Sequence, residues 1–152
     1  MQLALLPHHQ REIAQEIWAV WQSSYRIEAA LVGVEDFPPL RKTVEDIMSS
    51  PLHFVGIRLG ERLAALAGYS IEDEQLEISN LVVDPAFFRQ GLAGKLMEYL
   101  LAQNAWTEAI VDTAQVNLPA INLYQKWGFE EINRWLPAHG IPIVRLSRSL
   151  KA

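Results

Sequence analysis

Residues 89 to 95, Arg89-Gln90-Gly91-Leu92-Ala93-Gly94-Lys95, bring small residues and two cations together in one short stretch. Small residues at the start of a helix let an anionic group approach main-chain N–H groups that have no partner and that the helix dipole makes locally positive. The chemistry such a turn supports is phosphate binding. Its flanks fit: Ile78, Leu81, Val82 and Val83 are apolar and suited to a sheet interior, and Asp84-Pro85 stops that run. Downstream, Leu92, Ala93, Leu96, Met97, Leu100 and Leu101 recur at helical spacing. A Walker loop is excluded, because Arg89 stands where its first glycine belongs and Leu96 where its hydroxyl belongs. No Gly-x-Gly-x-x-Gly fingerprint is present either. On the turn alone, a plain strand-turn-helix connection with glycines for packing stays open.

The elements that must position this turn follow from the rest of the chain. Its 152 residues predict one domain, residues 1–152, long enough to bury a single core. Half the residues are apolar and a fifth charged, so the chain reads as globular. A net charge of −5 argues against a nucleic-acid partner or a basic membrane-surface patch. The absence of cysteine removes disulfides, thiolate metal sites and a cysteine nucleophile, and predicts a cytoplasmic protein. No signal sequence and no run long enough to span a bilayer is read. His8, His9, His53 and His139 are too scattered to predict a metal site.

In chain order, Leu3 to Leu6 predicts a first strand, and Ile13, Ile17, Val20 and Trp21 predict a helix over about His8 to Gln22. Residues 23 to 39 show no clear period and read as a helical turn and a loop, whose Glu28, Glu35 and Asp36 could attract a cation. Thr43, with Asp46 three residues on, predicts a capped short helix through Met48. His53 to Arg58, Arg62 to Ile71 and the strand before the turn then form an antiparallel meander, with Gly60-Glu61 and Glu72-Asp73-Glu74 as turns. After the turn helix, with Asn104 as its expected C-cap, Ala109 to Thr113 predicts a strand parallel to its predecessor. Asn117 caps a helix with Pro119 in its first turn and Ala120, Tyr124 and Trp127 on one face, and Gly128 ends it. Phe129 to Trp135 and Pro142 to Leu150 close the chain as strands, the last expected at a sheet edge.

Two segments carry a family resemblance. Gln90-Gly91-Leu92-Ala93, within Arg/Gln-x-x-Gly-x-Gly/Ala, resembles the acyl-CoA pyrophosphate loop of the GCN5-related N-acetyltransferase (GNAT) superfamily. Asn117, Ala120, Tyr124, Gly128 and Phe129 are similar to its second motif, Asn-x-x-Ala-x-x-x-Tyr-x-x-x-Gly-Phe. With the meander these cover about residues 52 to 129. Phe88 departs from the pattern, since the loop often begins there with Arg or Gln; Arg89 and Lys95 are near enough to supply the charge.

The resemblance implies an α/β fold with a mixed, mostly antiparallel sheet flanked by helices, its central parallel strands splayed around the acyl-CoA. It implies transfer of an acyl group, usually acetyl, from acetyl-CoA to a primary amine by direct attack, with no metal. The main chain of Arg89, Gln90, Gly91, Leu92, Ala93, Gly94 and Lys95 would hold the pyrophosphate. Leu81, Val82 and Val83 would pair with the peptide-like pantetheine arm as with an added strand, and Asn117 would reach the same arm. At pH 7 only about one lysine-like amine in a few thousand is neutral, so a base helps. The family position for it is Glu77, with Glu72, Asp112 or Tyr25 as substitutes. Tyr124 would give the departing thiolate its proton. Trp135 and the loop through His139 could border the acceptor, a small molecule or a peptide. Dimers are common in the family, so a homodimer is an open expectation. A non-catalytic acyl-CoA-binding or sensing module is the alternative reading.

Overall fold

The computed structural model describes residues 1–150. Its strands are β1 (Gln2–Leu5), β2 (His53–Leu59), β3 (Arg62–Glu72), β4 (Gln75–Val83), β5 (Glu108–Ala114), β6 (Glu130–Trp135) and β7 (Ile143–Ser149). Its α-helices are α1 (Arg11–Val32), α2 (Val44–Met48), α3 (Leu92–Leu101) and α4 (Leu118–Lys126). The strands make one sheet in the order β1-β2-β3-β4-β5-β7-β6, antiparallel at every pairing except β4 with β5. The expected mixed, mostly antiparallel sheet is what the chain forms.

Side chains alternate across the sheet and so build a core on each face. On one face α3 buries Leu92, Leu96, Met97 and Leu100 against Val55, Ala65, Ile78 and Val111, with Tyr124 and Phe129 closing the layer. On the other, α1 buries Ile17, Trp21, Tyr25 and Ala29 against Phe54, Leu66, Val82 and Ala114. Fully burying one such aliphatic or aromatic side chain is worth about 1.5–3 kcal/mol, so each layer is anchored by several such contributions.

Three local expectations are corrected. The first helix does not stop near Gln22 but continues through Val32, where Gly33 ends it with a φ of 82°. The four-residue stripe Ile17, Trp21, Tyr25, Ala29 runs straight through Ser23-Ser24. Serine costs only about half a kcal/mol in a helix, less than burying Trp21 and Tyr25 returns. Next, Asn104 is not the C-cap of α3, which closes at Ala102 with its N–H on the Glu98 carbonyl.

The third correction concerns the sheet edge. The last strand, β7, lies inside the sheet, pairing with β5 from Glu108↔Ser149 to Ala114↔Ile143, while β6 takes the edge. Val144 and Leu146 of β7 are buried, whereas residues 130 to 134 of β6 are exposed on both faces. The more apolar strand of this hairpin takes the inner position.

Candidate active site

The site begins where two parallel strands stop pairing. β4 and β5 are joined only from Gln75↔Glu108 to Ile78↔Val111. Beyond that point β4 stays with β3 as far as Ala65↔Val83, and β5 stays with β7 as far as Ala114↔Ile143. The two strands therefore diverge, and residues 79 to 83 of β4 have no strand partner on their β5 side. A bulge marks the divergence: Gly68 lies opposite Asn80 and Tyr69 opposite Ile78, which leaves Ser79 as an extra residue. Gly68 is required here, since a Cβ would come within 2.8 Å of both the Asn80 amide oxygen and the Phe54 ring. Asn80 instead turns toward α1 and donates through Nδ2 to the Tyr25 hydroxyl at 3.0 Å.

The turn after β4 presents its main-chain donors without intramolecular acceptors. Arg89 and Gly91 adopt left-handed conformations, with φ of 65° and 74°, and Gly91 is the N-cap of α3. From Arg89 to Gly94 no main-chain N–H donates to a main-chain carbonyl among the described residues; the first to do so is Lys95, to Gly91 at 3.2 Å. A row of free amides at a helix N-terminus is a concavity for an anion. Beside it runs a groove of about 390 Å³. Of the residues expected from the sequence, Leu81, Val83, Arg89, Gly91, Leu92, Ala93, Asn117 and Tyr124 line this groove. Gln90, Gly94 and Lys95 belong to the same turn but not to the groove wall. Val82 faces the other way, into the α1 layer.

A second cavity, of about 280 Å³, lies under α1 against the open part of the strand pair. Tyr25, Glu28, Asn80, Asp112, Tyr124 and His139 are among its walls. Five residues, Ser24, Glu28, Leu81, Ala120 and Tyr124, line both spaces, so the groove and the cavity meet at these side chains.

Burial governs the electrostatics at this junction. It pushes the Tyr124 hydroxyl far above its ordinary range, an effect to which the neighbouring Tyr25 and Glu28 add. Tyr25 is raised by burial too, and the hydrogen bond from Asn80 opposes the rise. Both hydroxyls are therefore neutral near pH 7. The Glu28 carboxyl is also raised by burial, against the pull of Asn117. Asn117, itself buried, donates through Nδ2 to Glu28 Oε1 at 2.5 Å, and its Oδ1 accepts from the Ala120 N–H at 3.3 Å as the cap of α4.

The sequence expectation for the base separates from this cluster. Glu77 lies on the part of β4 still joined to β5, opposite Ile110; it is exposed and lines neither space. Glu72 ends β3, exposed and outside both. Asp112 does line the cavity, but Arg145 donates to both of its oxygens, Nε to Oδ1 at 2.7 Å and Nη2 to Oδ2 at 3.0 Å. His139 lines the cavity while Trp135 does not; the Arg145 guanidinium sits over the Trp135 ring at 5.6 Å.

Sequence reasoning missed Ser24 and Asn80 and took Glu28 for a loop charge. The signals were there: Ser24, Tyr25 and Glu28 share one helical surface, and Asn80 interrupts an otherwise apolar strand run. Among the described residues, no group of three or more His, Cys, Asp or Glu is placed to hold a metal ion, and no helix is long and apolar enough to cross a membrane.

Known proteins resemble this chain in sequence or in fold. UPF0157 protein YqkA of Bacillus subtilis (strain 168) is 34% identical over 140 residues, 91% of this chain and 41% of YqkA. The chain thus spans about two-fifths of that relative's length. The [ribosomal protein bS18]-alanine N-acetyltransferase of Salmonella typhimurium is 28% identical over 116 residues, 74% of each chain. Among solved structures, the PaiA N-acetyltransferase of Thermoplasma acidophilum, in complex with coenzyme A, superposes with a TM-score of 0.72. That match covers 95% of this chain and 98% of PaiA at 14% identity, and shows the shared fold. Residues 11–129, which hold α1, the diverging strands, the turn and α4, match the acetyltransferase (GNAT) family, and to that family this chain belongs.

Proposed function

We propose that the chain transfers an acyl group, acetyl in the first instance, from coenzyme A to a primary amine by direct attack in a ternary complex. The observation that carries this reading is the junction: Tyr124 lines both the groove beside the free turn amides and the cavity under α1. A donor laid along the groove would meet the open edge of Leu81 to Val83 with its peptide-like arm and the amides of residues 90 to 94 with its pyrophosphate. Its thioester would then stand at Tyr124, within reach of an amine in the cavity. Burial keeps the Tyr124 hydroxyl protonated, so it can donate to the departing sulfur. Because the coenzyme A thiol, with a pKa of about 8.5, is the stronger acid, the transfer is completed by the proton that the nitrogen sheds after attack.

The acceptor is an amine of open identity. The Salmonella relative is named for an alanine of ribosomal protein bS18, so a peptide α-amine belongs beside lysine, polyamines and aminoglycosides in any panel. Thiol release from acetyl-CoA across that panel tests the reading. At least one amine is expected to support turnover, and Tyr124→Phe to lower it by about ten- to a thousandfold. Tight binding of acetyl-CoA with no thiol released by any amine would make the chain a binding module instead.

A further inference from the structure

We propose that Glu28 takes the proton from the acceptor's ammonium group, and that Asn117 holds it in place for this task. The inference rests on the acyltransferase reading above.

Glu28 belongs to both spaces, the groove and the cavity, and so reaches the point where an amine would meet a thioester. Its Oε1 accepts from Asn117, while Oε2 makes no hydrogen bond among the described residues and is free to accept one. The other titratable groups of the two walls are committed otherwise. Both oxygens of Asp112 are held by Arg145. Nδ1 of His139 accepts from the Ile141 N–H at 3.1 Å, which puts the neutral ring's proton on Nε2 and leaves that nitrogen a donor. Tyr25 and Tyr124 stay protonated, and Arg89 is a cation. Glu77, the position the family resemblance suggests, lines neither space. Asn117 links the machinery, since one amide caps α4, which carries Tyr124, and fixes the carboxylate on α1.

The step balances as follows. The ammonium gives one proton to Glu28 Oε2, which returns it to solvent. The nitrogen lone pair then forms the C–N bond as the carbonyl π pair moves onto oxygen. When the intermediate collapses, the C–S pair leaves on sulfur, which takes the Tyr124 proton. The proton that nitrogen sheds after attack restores Tyr124 through solvent, leaving amide and free thiol.

Burial raises the Glu28 carboxyl toward the pH range where a base is most effective, without which it would be a weak acceptor. Activity should therefore rise with pH through the Glu28 ionisation.

The experiment is the pH profile of kcat/KM for thiol release in wild type, Glu28→Gln, Asn117→Ser and Glu77→Gln, with coenzyme A affinity by calorimetry. Glu28→Gln is expected to lose about a hundredfold or more and to lose the acidic limb, with coenzyme A affinity unchanged. Asn117→Ser keeps a capping oxygen but removes the donor that favours the ionised carboxylate, so its acidic limb moves to higher pH. A merely structural Asn117 would leave the limb where it was. Glu28→Gln with the wild-type rate and profile, or an acidic limb lost in Glu77→Gln and kept in Glu28→Gln, overturns the proposal. If Glu28→Gln fails to fold, an unmoved limb in Asn117→Ser does the same. A wild type that releases no thiol with any amine removes the acyltransferase reading and this inference together.

Discussion

Two carboxylates line the cavity, one from α1 and one from β5, and they are held in opposite ways. Asp112, on β5, lies exposed with a bidentate arginine on it. Glu28, on α1, is partly buried with one amide on one oxygen. The first arrangement cancels a charge and braces β5 against β7, where Asp112 sits opposite Arg145 in the register. The second keeps a carboxylate under-solvated beside two buried hydroxyls. A charge satisfied by its partner has little left for a substrate, whereas one that its surroundings disfavour gains by accepting a proton.

The difference can be broken by experiment, and the largest effect is expected in rate. Glu28→Gln should cost about a hundredfold or more in kcat/KM, and Asp112→Asn less than about tenfold, when thiol release is followed with one amine at saturating acetyl-CoA. Equal losses would erase the distinction.

A smaller effect, of opposite sign for the two groups, is expected in stability. Because the folded state raises the Glu28 pKa, the stability tied to this group is complete below the ordinary carboxylate pKa. It is lost as pH rises through the raised folded value. Glu28→Gln has no such loss and should melt above wild type at pH 8, while the advantage shrinks toward pH 4. Asp112→Asn should melt slightly lower at pH 8, by less than about 1 kcal/mol, because its ion pair with Arg145 is roughly a third exposed. Thermal melts of both variants at the two pH values check the signs.

The smallest effect sharpens the comparison through Arg145. Arg145→Met leaves Asp112 an uncompensated anion in the cavity that Glu28 also lines. Like charge disfavours a second ionised carboxylate, so the acidic limb of this variant's turnover should lie above that of wild type by a fraction of a pH unit, and by less at high salt. A downward shift would mean the two groups do not sense each other.

Much of this was legible before any coordinates. Thr43 and Asp46 form the reciprocal capping box their spacing announces, and Asn117 caps α4 as expected. The Glu72-Asp73-Glu74 turn appears with Asp73 and Glu74 at φ of 50° and 61°. These are local matters, decided by residues a few positions apart. The proposed base was not legible, because Glu77 and Glu28 differ in what surrounds them rather than in type. Only the strand pairing shows that Glu77 lies on the closed side of the divergence. The length of α1 has a related cause: Ser23-Ser24 weaken the local helical preference, while the buried stripe Ile17, Trp21, Tyr25, Ala29 carries the helix through them.

By itself, then, the sequence determined the element order, the antiparallel meander and the glycine turn at the head of a helix. Propensity, capping and backbone conformation act over a few residues and leave their marks in order along the chain. The tertiary structure alone decided that β7 enters the sheet inside β6, that β4 and β5 part after Ile78, and that Glu28 meets Asn117 across 89 residues of chain. Those outcomes depend on which surfaces exclude water and which charges lose it, and no stretch of residues read alone holds that information.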